Sequence, residues 1–194
     1  MEINTLTLIT ILATALILVI GGFLAIAFYY SQRTKRLKEE FGPEYDRTMD
    51  ETGSRQKAEA SLEGRQERVE ALQMRTLSSD EQNHFAQKWQ SIRVEFVDDP
   101  GSMVDESDRL VTEVMLALGY PMANFDQRIE DLSVEYPEVV SHYRDAHSTA
   151  VENRLSSAST EKLRQAILDY QMVFEELLGI NMSEVPEYEM VMAE

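Results

Sequence analysis

Residues 78–100 have the sequence SSDEQNHFAQKWQSIRVEFVDDP, which contains the clearest helix signals in the chain. It opens with a capping box, in which Ser78 and Glu81 each bond a free backbone N–H of the first helical turn. Apolar side chains then recur at steps of four, three and four residues, a spacing that places them on one helix face: Phe85, Trp89, Ile92 and Phe96. Asp99-Pro100 starts a second helix, because aspartate caps a helix and proline suits its first position.

Similar signals divide the rest of the chain into further helices. We expect the second helix to end at Gly119 and a short helix to be capped by Asn124. A third long helix should begin at Pro137. The last helix should be capped by Ser159 or Thr160 and should end at Gly179. Residues 133–136 are expected to form a brief connection. Because the sequence has no alternating β-branched runs, we predict an all-α fold with a helical bundle domain over residues 78–178. Residues 179–194 form an acidic, methionine-bearing tail that we expect to be loosely ordered.

Residues 33–77 are interpreted as a basic collar followed by a charged helical stalk. Gly42-Pro43 breaks the first helix of the chain, and residues 43–52 and 54–73 are predicted to form a short and a long helix. The long helix carries a narrow apolar stripe that Arg65 interrupts: Ala58, Leu62, Val69 and Leu72. Such a stripe fits an extended stalk, a weak coiled coil, or a helix lying on the domain that follows.

Residues 1–32 are predicted to be a transmembrane anchor. Residues 3–32 contain no charged side chain, and residues 6–28 are almost wholly apolar. As a helix, the apolar stretch is about 35 Å long at about 1.5 Å per residue, enough to cross a hydrocarbon core of about 30 Å. Tyr29 and Tyr30 follow at the position of an interfacial aromatic belt. A cleaved signal peptide is the alternative, but it needs a positively charged start and a shorter apolar core. We therefore expect residues 3–30 to contact the lipid bilayer.

The charges that flank the apolar stretch predict its orientation. Four cations follow it and none precedes it: Arg33, Lys35, Arg36 and Lys38. The positive-inside rule then places the N-terminus outside and residues 31–194 in the cytoplasm. One interpretation of these cations is that they serve as a topology signal alone. The alternative is that they also contact the anionic headgroups of the bilayer. Gly21 and Ala25 form a small-xxx-small pair, a pattern through which the membrane helix could form a homo-oligomer.

Composition excludes several functional classes. The net charge is −17, and residues 39–194 carry 14 cations against 34 anions, so we expect no nucleic-acid partner and favour a basic protein partner. The absence of cysteine excludes a thiolate zinc site and a cysteine nucleophile. The sequence also has no phosphate-binding glycine loop and no G-x-S-x-G motif.

The remaining candidate residues do not predict a site. His142 and His147 are five residues apart, whereas two ligands of one metal on a helix need a spacing of three or four. Glu138 has that spacing from His142, but two residues do not make a site, and we interpret these side chains as a solvated acidic helix face. The carboxylates of Asp98, Asp99, Asp105, Glu106 and Asp108 are explained by the helix dipole. Trp89 is expected to pack in the core with its N–H on a carbonyl.

These observations predict no catalytic, cofactor-binding or metal-binding residue. The function they favour is a non-catalytic, membrane-anchored helical interaction or scaffold module. The alternative is a small-molecule or metal-dependent sensor or enzyme with a pocket in the helical bundle. Two or more buried titratable groups in one cavity would favour that alternative.

Short motifs spread over residues 37–178 resemble one protein family. They are FGPEYDR at 41–47, RTLS at 75–78, FVDDP at 96–100, LVTEVM at 110–115, GYP at 119–121, DLSV at 131–134, STEKLRQA at 159–166 and FEELL at 174–178. The pattern resembles an uncharacterised family of bacterial single-span membrane proteins with a helical C-terminal domain. The resemblance implies a single-pass protein of the bacterial inner membrane, and it implies no activity, cofactor or site residue. The acidic tail after Gly179 has no counterpart in the family.

Overall fold

The computed structural model describes residues 5–180, and this part of the chain is helical with no strand. The helices are α1 (Thr5–Phe41), α2 (Pro43–Thr52), α3 (Arg55–Glu70), α4 (Ser79–Glu95), α5 (Pro100–Leu118), α6 (Phe125–Glu135), α7 (Val140–Ser156) and α8 (Thr160–Leu178). The predicted all-α fold is therefore confirmed. The predicted loose order of the acidic tail falls almost entirely on residues 181–194, which lie outside the described residues.

The chain forms two compact units, and the boundary between them lies inside α3, between Glu59 and Ala60. The first unit contains α1, α2 and the first turn of α3. As the sequence predicts, α1 ends at Phe41, directly before Gly42, whose φ of 48° is unfavourable for other residues, and Pro43 takes the first position of α2. α1 is long and apolar enough to cross a membrane, and the side chains of its residues 11–30 are exposed.

The second unit is a bundle in which α8 packs against α5 and α7, α5 packs against α4 and α7, and α6 packs against α7. Its apolar core centres on the indole of Trp89, which is fully buried and stacks on the ring of Phe174 with centroids 4.9 Å apart. The helix ends follow the sequence signals. Ser78 and Glu81 form the capping box, and side chains cap the next helices as expected: Asp99, Asn124 and Ser159.

The second part of α3 packs against α6. The Arg65 guanidinium is buried and lies 3.3 Å from the Ser133 hydroxyl. Arg68 forms ion pairs with Glu130 at 2.7 Å and with Asp131 at 3.1 Å. Of the three arrangements that the narrow stripe allowed, residues 60–70 adopt the helix that lies on the following domain.

Three local expectations are wrong. α6 continues through Glu135, and α7 begins at Val140 rather than at Pro137. α6 ends at Glu135 because a following proline disfavours the helical conformation at Tyr136, which has φ −130° and ψ 54°. The Val139 N–H then bonds the Tyr136 carbonyl in a tight turn before α7 starts. The N–H of Trp89 is also buried without an acceptor among residues 5–180, so the expected bond to a carbonyl is absent there.

Candidate functional site

A buried polar network joins α5, α7 and α8 inside the bundle. Asp108 on α5 accepts a hydrogen bond from the Tyr170 hydroxyl at 3.2 Å, and His147 Nδ1 lies 3.2 Å from the same carboxylate oxygen. The side chains of Asp108 and His147 are only 14% and 18% exposed. The sequence interpretation of His147 as part of a solvated face is therefore wrong. Asp108 is likewise not explained by the helix dipole alone.

Aromatic groups from α6 and α7 cover this network. The Phe125 ring stacks on the His147 imidazole with centroids 3.7 Å apart. The Arg128 guanidinium lies about 6 Å from the rings of Phe125 and Tyr143, a distance typical of cation–π contacts, and it donates to the Thr112 hydroxyl at 2.8 Å. These contacts surround the Asp108 carboxylate with hydrogen-bond donors and cationic or polarisable groups.

The surroundings define the protonation states in the network. Burial acts to raise the pKa of Asp108, but the hydrogen bond and charge of His147, the charge of Arg128 and the Tyr170 hydroxyl together hold that pKa below its ordinary value. Burial and the neighbouring Asp108 charge raise the pKa of Tyr143 to about 12 and raise the pKa of Tyr170 further. At neutral pH the Asp108 carboxylate is therefore ionised and accepts the hydrogen bond of the Tyr170 hydroxyl.

A second histidine–carboxylate pair joins α7 to α8. His142 Nδ1 lies 2.8 Å from Asp169, and the Gln165 amide donates to the same carboxylate oxygen at 3.2 Å. Asp169 is buried, and about a third of the His142 side chain is exposed. Glu138, the carboxylate considered as a metal partner of His142, precedes α7 and does not share its helical spacing. Among the described residues, no three side chains of metal-binding type come together.

The two pairs resemble the His–Asp half of a catalytic triad, but their geometry supports a structural role in which they connect neighbouring helices. A general base needs a nucleophile or a substrate proton within hydrogen-bond reach. Within residues 5–180, both imidazoles form their hydrogen bonds with carboxylates only. The described cavities are lined by other residues. The pairs therefore hold α7 against α5 and α8.

The other members of the acidic group serve local roles. Asp99 caps α5 by accepting from the Ser102 N–H at 3.1 Å. Asp105 pairs with Arg154 on α7 at 3.0 Å, and Glu106 pairs with Arg109 one turn along α5. The helix-dipole interpretation therefore applies to Asp99 at the N-cap, whereas Asp105 and Glu106 lie in the second turn of α5, beyond the reach of that effect, and are held by their ion pairs.

Two surface cavities are the other candidate features of the bundle. The first, of about 420 Å³, lies where residues 74–77 meet the ends of α6 and α8, and Gln82, Glu135, Tyr136 and Glu176 contribute its polar groups. The second, of about 390 Å³, lies between α4 and α5. We call it the α4/α5 groove; its lining is Lys88, Ser91, Ile92, Glu95, Met103, Glu106 and Leu110. Neither cavity could be located from the sequence, because each depends on how separate helices pack.

Comparison of the chain with known protein families, with curated proteins and with solved structures finds no match. The resemblance to a bacterial single-span family stays a prediction.

Proposed function

We propose that this chain is a non-catalytic, single-pass membrane protein whose helical bundle binds a basic protein partner. The observation that carries the proposal is the α4/α5 groove, which combines an apolar floor with carboxylates at its rim. The proposed location is the bacterial inner membrane, with the N-terminus outside and the bundle in the cytoplasm. The four cations after the apolar part of α1 support this orientation.

The chemistry of the α4/α5 groove fits an amphipathic, basic segment. Ile92, Met103 and Leu110 provide an apolar floor for a partner side chain. Lys88 also lines the groove, but Glu113 neutralises it at 2.7 Å. Glu95 has no ion-pair partner among the described residues, so its carboxylate is available to a partner's lysine or arginine.

Two exposed apolar side chains lie near the C-terminal end of α4, where Glu95 of the groove also lies. Val94 and Val97 have 64% and 82% of their surface exposed. Val94 also lines a shallower cavity on the outer face of the same helix together with Glu95. A partner that covers this region buries both valines as well as the groove floor, and burial of apolar area is the main favourable term in most associations.

The charge balance and the anchor support the same proposal. Residues 39–194 carry 34 anions against 14 cations, and such an excess steers a basic partner toward the protein. Attachment through α1 raises the effective concentration of a bound partner at the membrane. A membrane-bound recruiter therefore accounts for the apolar helix, the acidic body and the groove together.

A ligand sensor is the second candidate function. The observation that favours it is the buried network around Asp108, His147 and Tyr170, since buried titratable groups cluster at binding and catalytic sites. Elemental analysis of the full-length protein, purified without added metal, tests this candidate. One metal ion per chain that is lost in His142→Gln/His147→Gln supports the sensor and argues against the interaction module.

Site-specific photo-cross-linking in host membranes tests the proposal. The full-length protein carries a photoreactive amino acid in place of Val97, and a matched variant carries it in place of Leu155, which is 81% exposed on α7. We expect a discrete cross-linked adduct with a basic protein from position 97, which weakens as salt is raised. Equal cross-linking from both positions contradicts a partner at the α4/α5 groove.

A further inference from the structure

A cavity of about 440 Å³ lies beside α1, directly after its apolar part. We call it the collar cavity, and it is lined by Tyr30, Arg33 and Thr34 of α1 and by Ser54, Arg55, Gln56 and Glu59 at the start of α3. All of these residues belong to the first compact unit. At about 30 Å³ per water molecule, the volume equals about 15 waters. It therefore has room for a phosphate group with a small polar substituent.

The lining of the collar cavity is suited to an anion. Arg33 and Arg55 contribute guanidinium groups, which bind phosphate oxygens in pairs. Arg55 has no ion-pair partner among the described residues, so its charge is not already neutralised. The first turn of α3 contains no acidic residue, and a helix N-terminus of this kind attracts an anion through its free N–H groups and its dipole.

Glu59, the single carboxylate of the cavity, is already engaged. It is 2% exposed, and its Oε1 accepts hydrogen bonds from the Thr34 hydroxyl at 2.6 Å and from the Tyr45 hydroxyl at 3.2 Å. Its Oε2 lies 3.6 Å from the Arg33 guanidinium. Glu59 therefore acts as a positioning residue, which holds Arg33 at the cavity and ties α3 to α1 and α2.

The depth of the cavity along α1 matches that of a lipid headgroup. If residues 6–28 occupy the hydrocarbon core, Arg33 lies five residues beyond it, or about 7.5 Å at about 1.5 Å per residue. The polar layer on each side of the core is about 5–7 Å thick. The Arg33 side chain can extend back toward the bilayer, so its guanidinium reaches the phosphate layer. Tyr30, which is half exposed at the top of the cavity, suits the interface.

We propose that the collar cavity binds the phosphate of an anionic phospholipid headgroup. The donors of Ser54 and Gln56 suit the hydroxyl groups of a phosphoglycerol better than the methylated amine of a phosphocholine, which needs an aromatic cage or a free anion. The site gives the first unit a lipid contact at the membrane surface that differs from the non-specific attraction of the four collar cations.

Native mass spectrometry of the full-length protein in detergent tests this proposal. The probes are dioctanoyl phosphatidylglycerol, dioctanoyl phosphatidylcholine and sodium phosphate at matched concentrations. We expect one bound phosphatidylglycerol per chain and weaker binding of the other two probes. Arg55→Gln should weaken phosphatidylglycerol binding roughly tenfold, because one charge-assisted contact is lost. Lys57→Gln removes the same charge from the exposed side of the same helix turn and should have little effect.

Three results overturn the proposal. Equal binding of phosphatidylcholine means that the acyl chains, not the headgroup, are recognised. Equal losses in Arg55→Gln and Lys57→Gln mean that attraction by net charge explains binding without a site. Sodium phosphate that binds as tightly as phosphatidylglycerol means that a free anion is the ligand. None of these results affects cross-linking from Val97, so failure of this proposal is distinguishable from failure of the proposed function.

Discussion

Replacement of Trp89 by alanine and by phenylalanine should have very different costs. The indole is fully buried and stacks on Phe174, so Trp89→Ala leaves a large cavity and should lower the free energy of unfolding by about 3–5 kcal/mol. This is a large fraction of the roughly 5–15 kcal/mol that stabilises most domains. We therefore expect the bundle of Trp89→Ala to be partly unfolded at moderate temperature.

Trp89→Phe should lower the free energy of unfolding much less than Trp89→Ala, because it also removes the buried indole N–H, which has no acceptor among residues 5–180. Phenylalanine keeps the stacking on Phe174, and its smaller ring costs about 1 kcal/mol in cavity formation. The indole N–H has no acceptor among residues 5–180, and a buried, unbonded donor costs about 1–3 kcal/mol. Removal of that donor offsets the cavity, so the net change should lie within about 1–2 kcal/mol of zero.

Urea unfolding of the full-length protein in detergent, followed by circular dichroism, measures both changes. Leu155→Ala, at a side chain that is 81% exposed, is the control and should change stability by less than about 0.5 kcal/mol. If Trp89→Phe destabilises the bundle as much as Trp89→Ala, the N–H has a strong partner and the reasoning about the buried donor is wrong. If Trp89→Ala has no effect, the indole is not part of the core.

Three further predictions concern the backbone, the polar network and the membrane. Gly119→Ala should destabilise the bundle by at least about 1–3 kcal/mol in the same urea assay, because φ is 104° and the new Cβ would lie 2.6 Å from the Gln73 carbonyl oxygen; an unchanged midpoint refutes this. The lowered pKa of Asp108 means that its stabilisation is complete above the unfolded pKa of about 3.9 and is lost as pH falls through the folded pKa. Unfolding between about pH 5 and pH 2 should therefore show a smaller loss of stability in Asp108→Asn than in the unmodified chain, and parallel curves would contradict the assignment. A reporter that is active only in the periplasm, fused after Glu194, should be inactive, and activity there would reverse the orientation.

Helix boundaries were largely predictable because their signals are local. The Ser78–Glu81 box and the left-handed Gly119 depend on residues within one turn, and both are present as expected. The start of α7 was missed because proline permits a tight turn as well as a helix start. The bond from the Val139 N–H to the Tyr136 carbonyl, three residues back, is what distinguishes the turn from a helix start.

The polar network was missed because its contacts join distant parts of the chain. His147 and Asp108 are 39 residues apart, and no periodicity relates them. A signal was nevertheless present: Asp108 lies four residues after Val104 and three before Val111, so it falls on the buried stripe of α5. Arg65 occupies the same kind of position between Leu62 and Val69. A charged residue on an apolar stripe predicts a buried partner, because an unpaired buried charge is costly, but it does not identify that partner.

The most direct test of the proposed partner site is the effect of one charge on cross-linking. Glu95→Lys reverses the unpaired carboxylate of the α4/α5 groove, and Asp145→Lys makes the same change at an exposed position on α7. The yield of the adduct from position 97 is measured in host membranes for both variants, after circular dichroism has shown that each is folded. The account predicts that Glu95→Lys abolishes most of the adduct and that Asp145→Lys retains it. An adduct that persists in Glu95→Lys, or is lost equally in both variants, contradicts the binding of a basic partner at this groove.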